Sequence, residues 1–294
     1  MKKVLVLGGI STDRGLQTDY SNGFKAFMSE YEFVEARFDH LVFAIGPGKF
    51  SITDGRDGKE LSDYDMVIMR GKIRRSTNLA YVVSYYLEDK KVSFFNDYSQ
   101  YRPSSKLAQA MLFYRLKLPF IETYSVTNPK LLVETVNKNL DYPIILKDSY
   151  GSHGQSNYLV DDEPELKKIL HENPNIQFIA QAYHVNDCDY RVLVVGNQEP
   201  LVIKRTAASG SHLNNTSQGG RAELSSEIPA EFIEDSKKLA QELKMTLAGI
   251  DLLQDKNTSE MFFLEVNSQP QVLSGAFVKE KEQLLKKLIN GLLN

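Results

Sequence analysis

Apolar positions along the chain fall into short runs of strand length, separated by polar and glycine-bearing stretches and by segments with helical spacing. Lys2 to Leu7 reads as a buried strand, Gly8-Gly9-Ile10-Ser11-Thr12 as the turn after it, Asp19 to Ser29 as a helix and Glu32 to Arg37 as a strand. Strand, glycine turn, helix, strand is the opening of an open α/β sheet. Phe43 to Ile45 and Phe50 to Ile52, flanking Gly46-Pro47-Gly48, predict a hairpin or a lobe insertion. Met66 to Met69 predicts another buried strand, followed by a basic loop, Arg70 to Arg75, then a helix over Thr77 to Glu88 and a strand over Val92 to Phe95. A first unit, residues 1–100, would end there.

Ser105 is placed to cap a helix that carries Lys106 and apolar residues at Leu107, Ala110, Met111 and Tyr114. A helix over Pro129 to Asn137 leads into Pro143-Ile-Ile-Leu-Lys147, a strand ending on a lysine. Beyond the small-residue stretch Asp148 to Ser156, strands are expected at Tyr158 to Val160 and Gln177 to Tyr183, with a helix over Glu163 to Leu170 between them. Strands Tyr190 to Val195 and Pro200 to Arg205, a long polar loop Thr206 to Gly220, a helix Ala230 to Leu243 and a closing helix Phe277 to Leu293 complete the pattern. Loops of that length in a compact domain are often functional. Residues 101–185 and 186–294 are the two further units this reading expects.

Composition narrows the class. A chain of 294 residues exceeds what one core usually organises. With 25% charged and 42% hydrophobic residues and a net charge of −3, it has the make-up of an ordinary globular enzyme, and nothing basic enough to predict a nucleic-acid partner. The lone Cys188 excludes an intramolecular disulfide and a multi-cysteine metal site, and reads as a packing residue. The run after Met1-Lys2-Lys3 is too short for a signal peptide, and no run approaches the ~18 apolar residues of a membrane span. The cytoplasm is the expected compartment, with no membrane partner.

Most of the candidate chemistry lies from Lys147 onward. Met261-Phe-Phe-Leu-Glu265-Val-Asn267 ends on a carboxylate and a carboxamide two residues apart, so as a strand it presents both on one face. Ala248-Gly-Ile-Asp251-Leu-Leu253 is a second apolar run with one carboxylate. If the two pair, Asp251, Glu265 and Asn267 converge as an oxygen-only cluster of the kind Mg²⁺ takes when it also holds phosphates; the alternative is a satisfied polar residue beside a strand-end charge. Lys147 before a Gly/Ser loop is a candidate phosphate cradle, or a hairpin with a glycine turn. Asp189 and Arg191 alternate onto one strand face, and Lys204-Arg205 end the neighbouring strand, facing an anion or forming cross-strand pairs. The basic loop Arg70, Lys72, Arg74, Arg75 is either a solvated charge run or a site for an acidic acceptor.

In order, these motifs resemble the ATP-grasp superfamily: strand-lysine with a Gly-rich loop, Asp189-x-Arg191, Ile203-Lys204-Arg205, Asn215 with Gly219-Gly220, Ala248-Gly-Ile-Asp251, and Leu264-Glu-Val-Asn267-Ser-x-Pro270. Within it the stretch from about Tyr64 to Gly275 is similar to RimK-type carboxylate–amine ligases. The resemblance implies a three-lobed ATP-grasp fold, mixed α/β and α+β, behind an N-terminal open α/β domain. It implies an ADP-forming ligase that makes an amide between a carboxylate and an amine through an acyl phosphate, an amino-acid or peptide ligase, with ATP and Mg²⁺ (or Mn²⁺, usually two ions) as cofactors. It matches Lys106 and Lys147 to phosphate lysines, Gly151, Ser152 and Gly154 to a phosphate flap, and Gln181, Ala182, Tyr183 and His184 to the adenine hinge. It matches Asp189 to a carboxylate near the ribose, Asn215 to a further oxygen ligand, Asp251, Glu265 and Asn267 to the metal ligands, and Arg191 and Arg205 to arginines near the reacting groups. An amino-acid or peptide substrate, an amine acceptor and a homo-oligomeric state would follow. The chain departs from the pattern at Ala182, where the family often has Glu, at Leu213, where an arginine is common, at Gln218, where another basic residue is common, and at Gln271, where a glycine is usual. Those changes leave a second reading in place, an ATP-binding regulatory or scaffold protein of the same fold with weak or no turnover.

Overall fold

The computed structural model describes residues 1–8, 20–71, 73–100, 105–151, 156–206 and 221–294, and of Arg74 and Arg75 the backbone alone. A first, parallel sheet has the order β2-β1-β5-β6, built from β1 (Lys3–Gly8), β2 (Glu32–Arg37), β5 (Met66–Arg70) and β6 (Ser93–Phe95). Between these strands run α1 (Tyr20–Phe27), a hairpin of β3 (Leu41–Gly46) and β4 (Lys49–Asp54), and α2 (Thr77–Asp89). Val4 and Val6 face one core, and Leu5 and Leu7 the other. Burial on both faces is why β1 and β5 are unbroken apolar runs rather than alternating ones.

A second, antiparallel sheet has the order β7-β10-β8-β9, from β7 (Thr123–Tyr124), β8 (Ile144–Asp148), β9 (Asn157–Val160) and β10 (Phe178–Ala182). It is covered by α4 (Pro129–Asn139) and α5 (Glu163–Glu172), whose Leu132, Val136, Leu166 and Ile169 meet Ile144, Leu146 and Phe178. Asn128 and Asp162 cap the two helices, each accepting from the backbone N–H three residues on.

The third sheet has the order β13-β12-β11-β14-β15: β11 (Cys188–Val195), β12 (Leu201–Thr206), β13 (Arg221–Leu224), β14 (Leu247–Gln254) and β15 (Met261–Asn267). One face carries Tyr190, Val192, Ile250, Leu252 and Phe263 against α3 (Lys106–Arg115) and α6 (Ala230–Glu242). Cys188 packs at the margin of this core. On the opposite face α7 (Val278–Leu293) lays Leu285, Leu288 and Ile289 into a core shared by Leu193, Val195, Leu247 and the first sheet.

Two sequence expectations need correction, and a strand that was not expected is added. Arg70 does not begin a basic loop: it is the last residue of β5, paired with Gly8 and 2% exposed. Its Nη2 donates to the Pro270 carbonyl at 2.8 Å, and the residues after it, Ile73–Ser76, form a 3₁₀ turn. In α3 the apolar Leu107, Met111 and Tyr114 are exposed, while Gln109, Ala110, Leu112 and Phe113 are buried. The helix is rotated from its apolar reading because buried Gln109 is needed by β15. Finally, β13 carries no apolar alternation: as an edge strand it is exposed at Arg221, Glu223 and Leu224, and the period-two signal is lost.

Candidate active site

The two acidic runs pair antiparallel, with Asp251 opposite Glu265 and Gly249 opposite Asn267. A register shift between Asp251 and Leu252 sets Leu252 opposite Phe263. In an unbroken strand residues 263 and 265 would share a face. The bulge sends Phe263 into the core while Glu265 and Asn267 stay on the face of Asp251, the re-aiming that bulges beside functional sites provide. Gly249 matters for another reason. A Cβ there would lie 3.0 Å from the Pro270 Cβ and 3.6 Å from Arg191, so glycine allows the chain after Asn267 to close over the sheet.

Arg191, on the neighbouring strand opposite Asp251, donates from Nε and Nη2 to its two carboxylate oxygens, each at 2.7 Å. This forked pairing is the strong form of an arginine–carboxylate bond. Arg205, 5% exposed, donates from Nε to Asp189 at 2.6 Å and sets Nη2 3.3 Å from Asp251. Burial pushes the Asp251 carboxyl up, but Arg191 and Arg205 outweigh it and hold the group below its ordinary range. Burial lifts Asp189 to about 6 against the pull of Arg205. The carboxylate expected near a ribose is thus the one that fixes Arg205.

Among the described residues no arginine forks onto Glu265 in this way. Burial pushes its carboxyl up and Asp251 adds to the rise, opposed chiefly by Lys106. Two half-buried carboxylates on facing strands, with the Asn267 carboxamide beside them, form a hard oxygen donor set of the kind magnesium takes. The forked Arg191 still leaves Asp251 lone pairs, since each carboxylate oxygen carries two. Asn267 Oδ1 accepts from the Gln269 N–H at 2.8 Å, which fixes its rotation.

The lysines come from other elements. Ser105 caps α3 by accepting from the Ala108 N–H at 3.1 Å, so Lys106 stands on the first turn. Its Nζ donates to the carbonyls of Asp148 and Gly151 at 3.1 and 2.7 Å, at the foot of the small-residue stretch. Lys147 is the last residue but one of β8, and its Nζ donates to Gln181 Oε1 at 2.9 Å, while Gln181 Nε2 donates to Thr123 Oγ1 at 2.8 Å. Burial first, and Lys106 second, bring the Lys147 ammonium down to about 8, opposed by Glu265. Two ammonium groups and a carboxylate set this near one another have the charge that could neutralise polyphosphate oxygens.

Of the residues matched to the hinge, Gln181 and Ala182 end β10, and Tyr183 and His184 follow it. Gln181 uses its side chain on Lys147, and His184 sets Nδ1 2.8 Å from Asp255 Oδ2 with its ring 4.7 Å from that of Phe262. Both side chains are thereby anchored, with Ala182 and Tyr183 between them. Ser152, His153, Gly154, Leu213, Asn215 and Gln218 lie outside the described residues, as does Lys72. Two contributors that motif reading missed are Gln109, which pairs with β15, and Lys281, 5% exposed on α7. The spacing of Lys281 with Leu285, Leu288 and Ile289 was the available signal.

The RimK-like ATP-grasp domain model matches residues 104–292. An alpha-aminoadipate–LysW ligase of Sulfurisphaera tokodaii is 27% identical over 271 residues, 86% of this chain and 91% of its own length. An uncharacterised protein of Mycoplasma pneumoniae is 32% identical over 146 residues, 48% of each chain, so the match spans about half of that relative. Among solved structures, the RiPP-associated ATP-grasp ligase of Chryseobacterium gregarium, in complex with ADP and a leader and core peptide, superposes with a TM-score of 0.68. That superposition covers 99% of this chain and 97% of the other at 14% identity.

Proposed function

Because the chain belongs to the RimK-like ATP-grasp family, we propose that it is an ADP-forming ligase that joins a carboxylate to an amine as an amide. The observation that carries this is the Asp251–Glu265 pair, set among Arg191, Arg205, Lys106 and Lys147 with no nucleophile–base pair among the residues described there. Such a site works by positioning and charge neutralisation.

The substrate carboxylate oxygen attacks the γ-phosphorus of ATP, the bond to the β–γ bridging oxygen breaks, and ADP leaves. The amine then attacks the acyl carbon, the tetrahedral centre expels phosphate, and the amine's proton is lost. Lys106 and Lys147 neutralise phosphate oxygens. Arg191 and Arg205, fixed by Asp251 and Asp189, hold positive charge where negative charge gathers on the transferring group. Asp251, Glu265 and Asn267 would hold Mg²⁺, which supplies charge stabilisation to the phosphates when bound. The backbone around Ala182 and Tyr183 would take adenine. The fitting substrate class is an amino acid or peptide, and the cytoplasm the fitting compartment; among the described residues no helix is long and apolar enough to cross a membrane.

Hydroxylamine trapping tests the intermediate. With ATP, Mg²⁺ and a pool of amino acids and short peptides, hydroxylamine should accumulate a hydroxamate in step with ADP. Steady ADP release in the presence of an accepted carboxylate, with no hydroxamate and no amide product, would exclude the acyl-phosphate route.

The scaffold reading has no comparable support. A binding module does not need two cross-paired arginines and a bulge that turns Glu265 toward Asp251.

A further inference from the structure

Among the described residues β3 and β4 form a two-stranded sheet of their own, with Leu41 opposite Asp54 at the base and Gly46 opposite Lys49 at the tip. Pro47 and Gly48 make the two-residue turn, with Gly48 at φ +69°. Below such a turn the closing pair exchanges backbone bonds, and so does every second pair after it. The backbone groups of Gly46, Ala44 and Val42 therefore point to β4, and those of Ile45, Phe43 and Leu41 point away. The Leu41 N–H is taken by the Phe38 carbonyl. The N–H and carbonyl of Phe43 and Ile45, and the Leu41 carbonyl, meet no partner among the described residues.

Several other edges of the fold are closed. Along β2, Arg56 Nη2 donates to the Glu35 carbonyl at 2.7 Å, and beyond β4 the Asp54 N–H donates to the Lys59 carbonyl at 2.8 Å. Gln109 completes β15, where the Phe263 N–H also donates to the Pro119 carbonyl at 2.8 Å. The edge strand β13 exposes Arg221 and Glu223. Covers and charges of this kind keep an edge from pairing with another chain. By contrast, β3 reads Leu41-Val-Phe-Ala-Ile-Gly46, without a charge or a proline, and Val42 and Ile45 are 53% and 66% exposed. Leu41 and Phe43 pack on the core of the first sheet, but Ile45, on the same face, extends past it.

We infer that β3 is the contact between two copies of this chain, paired antiparallel about a two-fold axis at Phe43. In that register Phe43 meets Phe43 of the second copy, Leu41 meets Ile45 and Val42 meets Ala44. Phe43 then exchanges bonds with its counterpart, each Ile45 N–H reaches a Leu41 carbonyl, and the overhanging Ile45 is covered. An interface between identical copies must be complementary to itself, and an uncharged strand with free groups at every second residue meets that condition. A foreign segment would have to bring a free edge of its own, whereas a second copy always brings one in matching register. The flanking charges select the antiparallel arrangement. Asp39 precedes β3, its oxygens keeping lone pairs beyond the two that Arg37 takes, and Lys49, with no ion pair among the described residues, follows the turn. Antiparallel pairing sets the Asp39 end of one copy at the Lys49 end of the other, and parallel pairing would set like ends together. Stable interfaces bury about 800 Å² on each side, more than a six-residue strand and its flanking side chains provide, so the dimer dissociates on dilution. None of this depends on the ligase reading.

The test is sedimentation velocity over a concentration series reaching hundreds of micromolar, on wild type, Ile45→Lys and Ile45→Pro. The wild-type mass should rise with concentration toward twice the 33.3 kDa of the chain. Ile45→Lys sets a charge against an apolar strand on both sides of the axis and should weaken association by about tenfold or more. Ile45→Pro removes a donor that the monomer does not use and should act in the same direction. Because Ile45 is exposed in the monomer, both variants should keep the wild-type unfolding temperature. The register is read separately by cross-linking. Val42→Cys mixed with Ala44→Cys should form a disulfide dimer in air faster than either variant alone, and faster than wild type with its own Cys188. A wild type that stays monomeric throughout the series, its edge left to solvent or to a different chain, overturns the inference. So does a dimer that a folded Ile45→Lys leaves unchanged, or a mixture that cross-links no faster than its components.

Discussion

Gln109 pairs with both backbone groups of Val266: its Nε2 donates to the Val266 carbonyl at 3.1 Å, and its Oε1 accepts from the Val266 N–H at 2.9 Å. Val266 lies on β15, the edge strand, so these groups have no further strand to meet. One buried carboxamide completes the edge and locks the helix bearing Lys106 to the strand bearing Glu265.

Gln109→Leu keeps the volume and strands a buried donor and a buried acceptor. Each costs about 1–3 kcal/mol, so the unfolding temperature should fall by roughly 4 °C or more. Because α3 is no longer keyed to β15, KM for ATP should rise as well. Calorimetry and steady-state kinetics check the two halves; an unchanged melt would mean that water replaces the side chain freely.

Lys147 sets a pH dependence. Its ammonium sits at about 8 against 10.5 for the ordinary side chain. The unfolded chain therefore binds more protons between those values, and the contribution of Lys147 to stability rises with pH across that window. Under the proposed phosphate role Lys147 must carry its proton, so kcat/KM for ATP should fall above pH 8, approaching tenfold per unit. Lys147→Arg should remove that fall, since guanidinium does not titrate there. A wild-type profile flat to pH 9.5 would contradict the assignment.

Much of the fold was legible. Runs such as Lys3–Gly8 and Met66–Arg70 have few alternatives to a buried strand, and the caps at Ser105, Asn128 and Asp162 announce their helices. The oxygen cluster was legible too, because i and i+2 on one strand fix a shared face. What stayed hidden depends on long-range partners. Gln109 is a polar residue whose burial makes sense only beside an edge strand, and Arg70 a charge whose burial follows from Pro270, distant in sequence. Lys281 breaks an otherwise aliphatic stripe that attracted no motif.

Gln269 bridges the first and third sheets: Nε2 donates to Tyr98 Oη at 2.9 Å and the Met69 carbonyl at 3.3 Å, and Oε1 accepts from the Gly71 N–H at 3.1 Å. Gln269→Ala should cost about 1–3 kcal/mol and loosen the first sheet. Hydrogen exchange should show faster exchange at the end of β5, with β8 and β10 unchanged; uniform protection would contradict it.

Arg191→Lys retains the charge and removes the fork on Asp251. Turnover should fall on the order of 100-fold with KM for ATP within about threefold, since Lys106 and Lys147 remain. Wild-type kcat in this variant would mean that orientation of the guanidinium is irrelevant.

Asp251 and Glu265 are proposed to support ATP-driven amide formation. The decisive measurement is ADP release with ATP and Mg²⁺ against pools of amino acids and short peptides, run beside Glu265→Ala. The expected result is amine-dependent ADP release in wild type that drops by about 100-fold or more in Glu265→Ala and needs the divalent ion. ADP release that is unaffected by Glu265→Ala, or no binding of ATP by the folded wild-type protein, would contradict it.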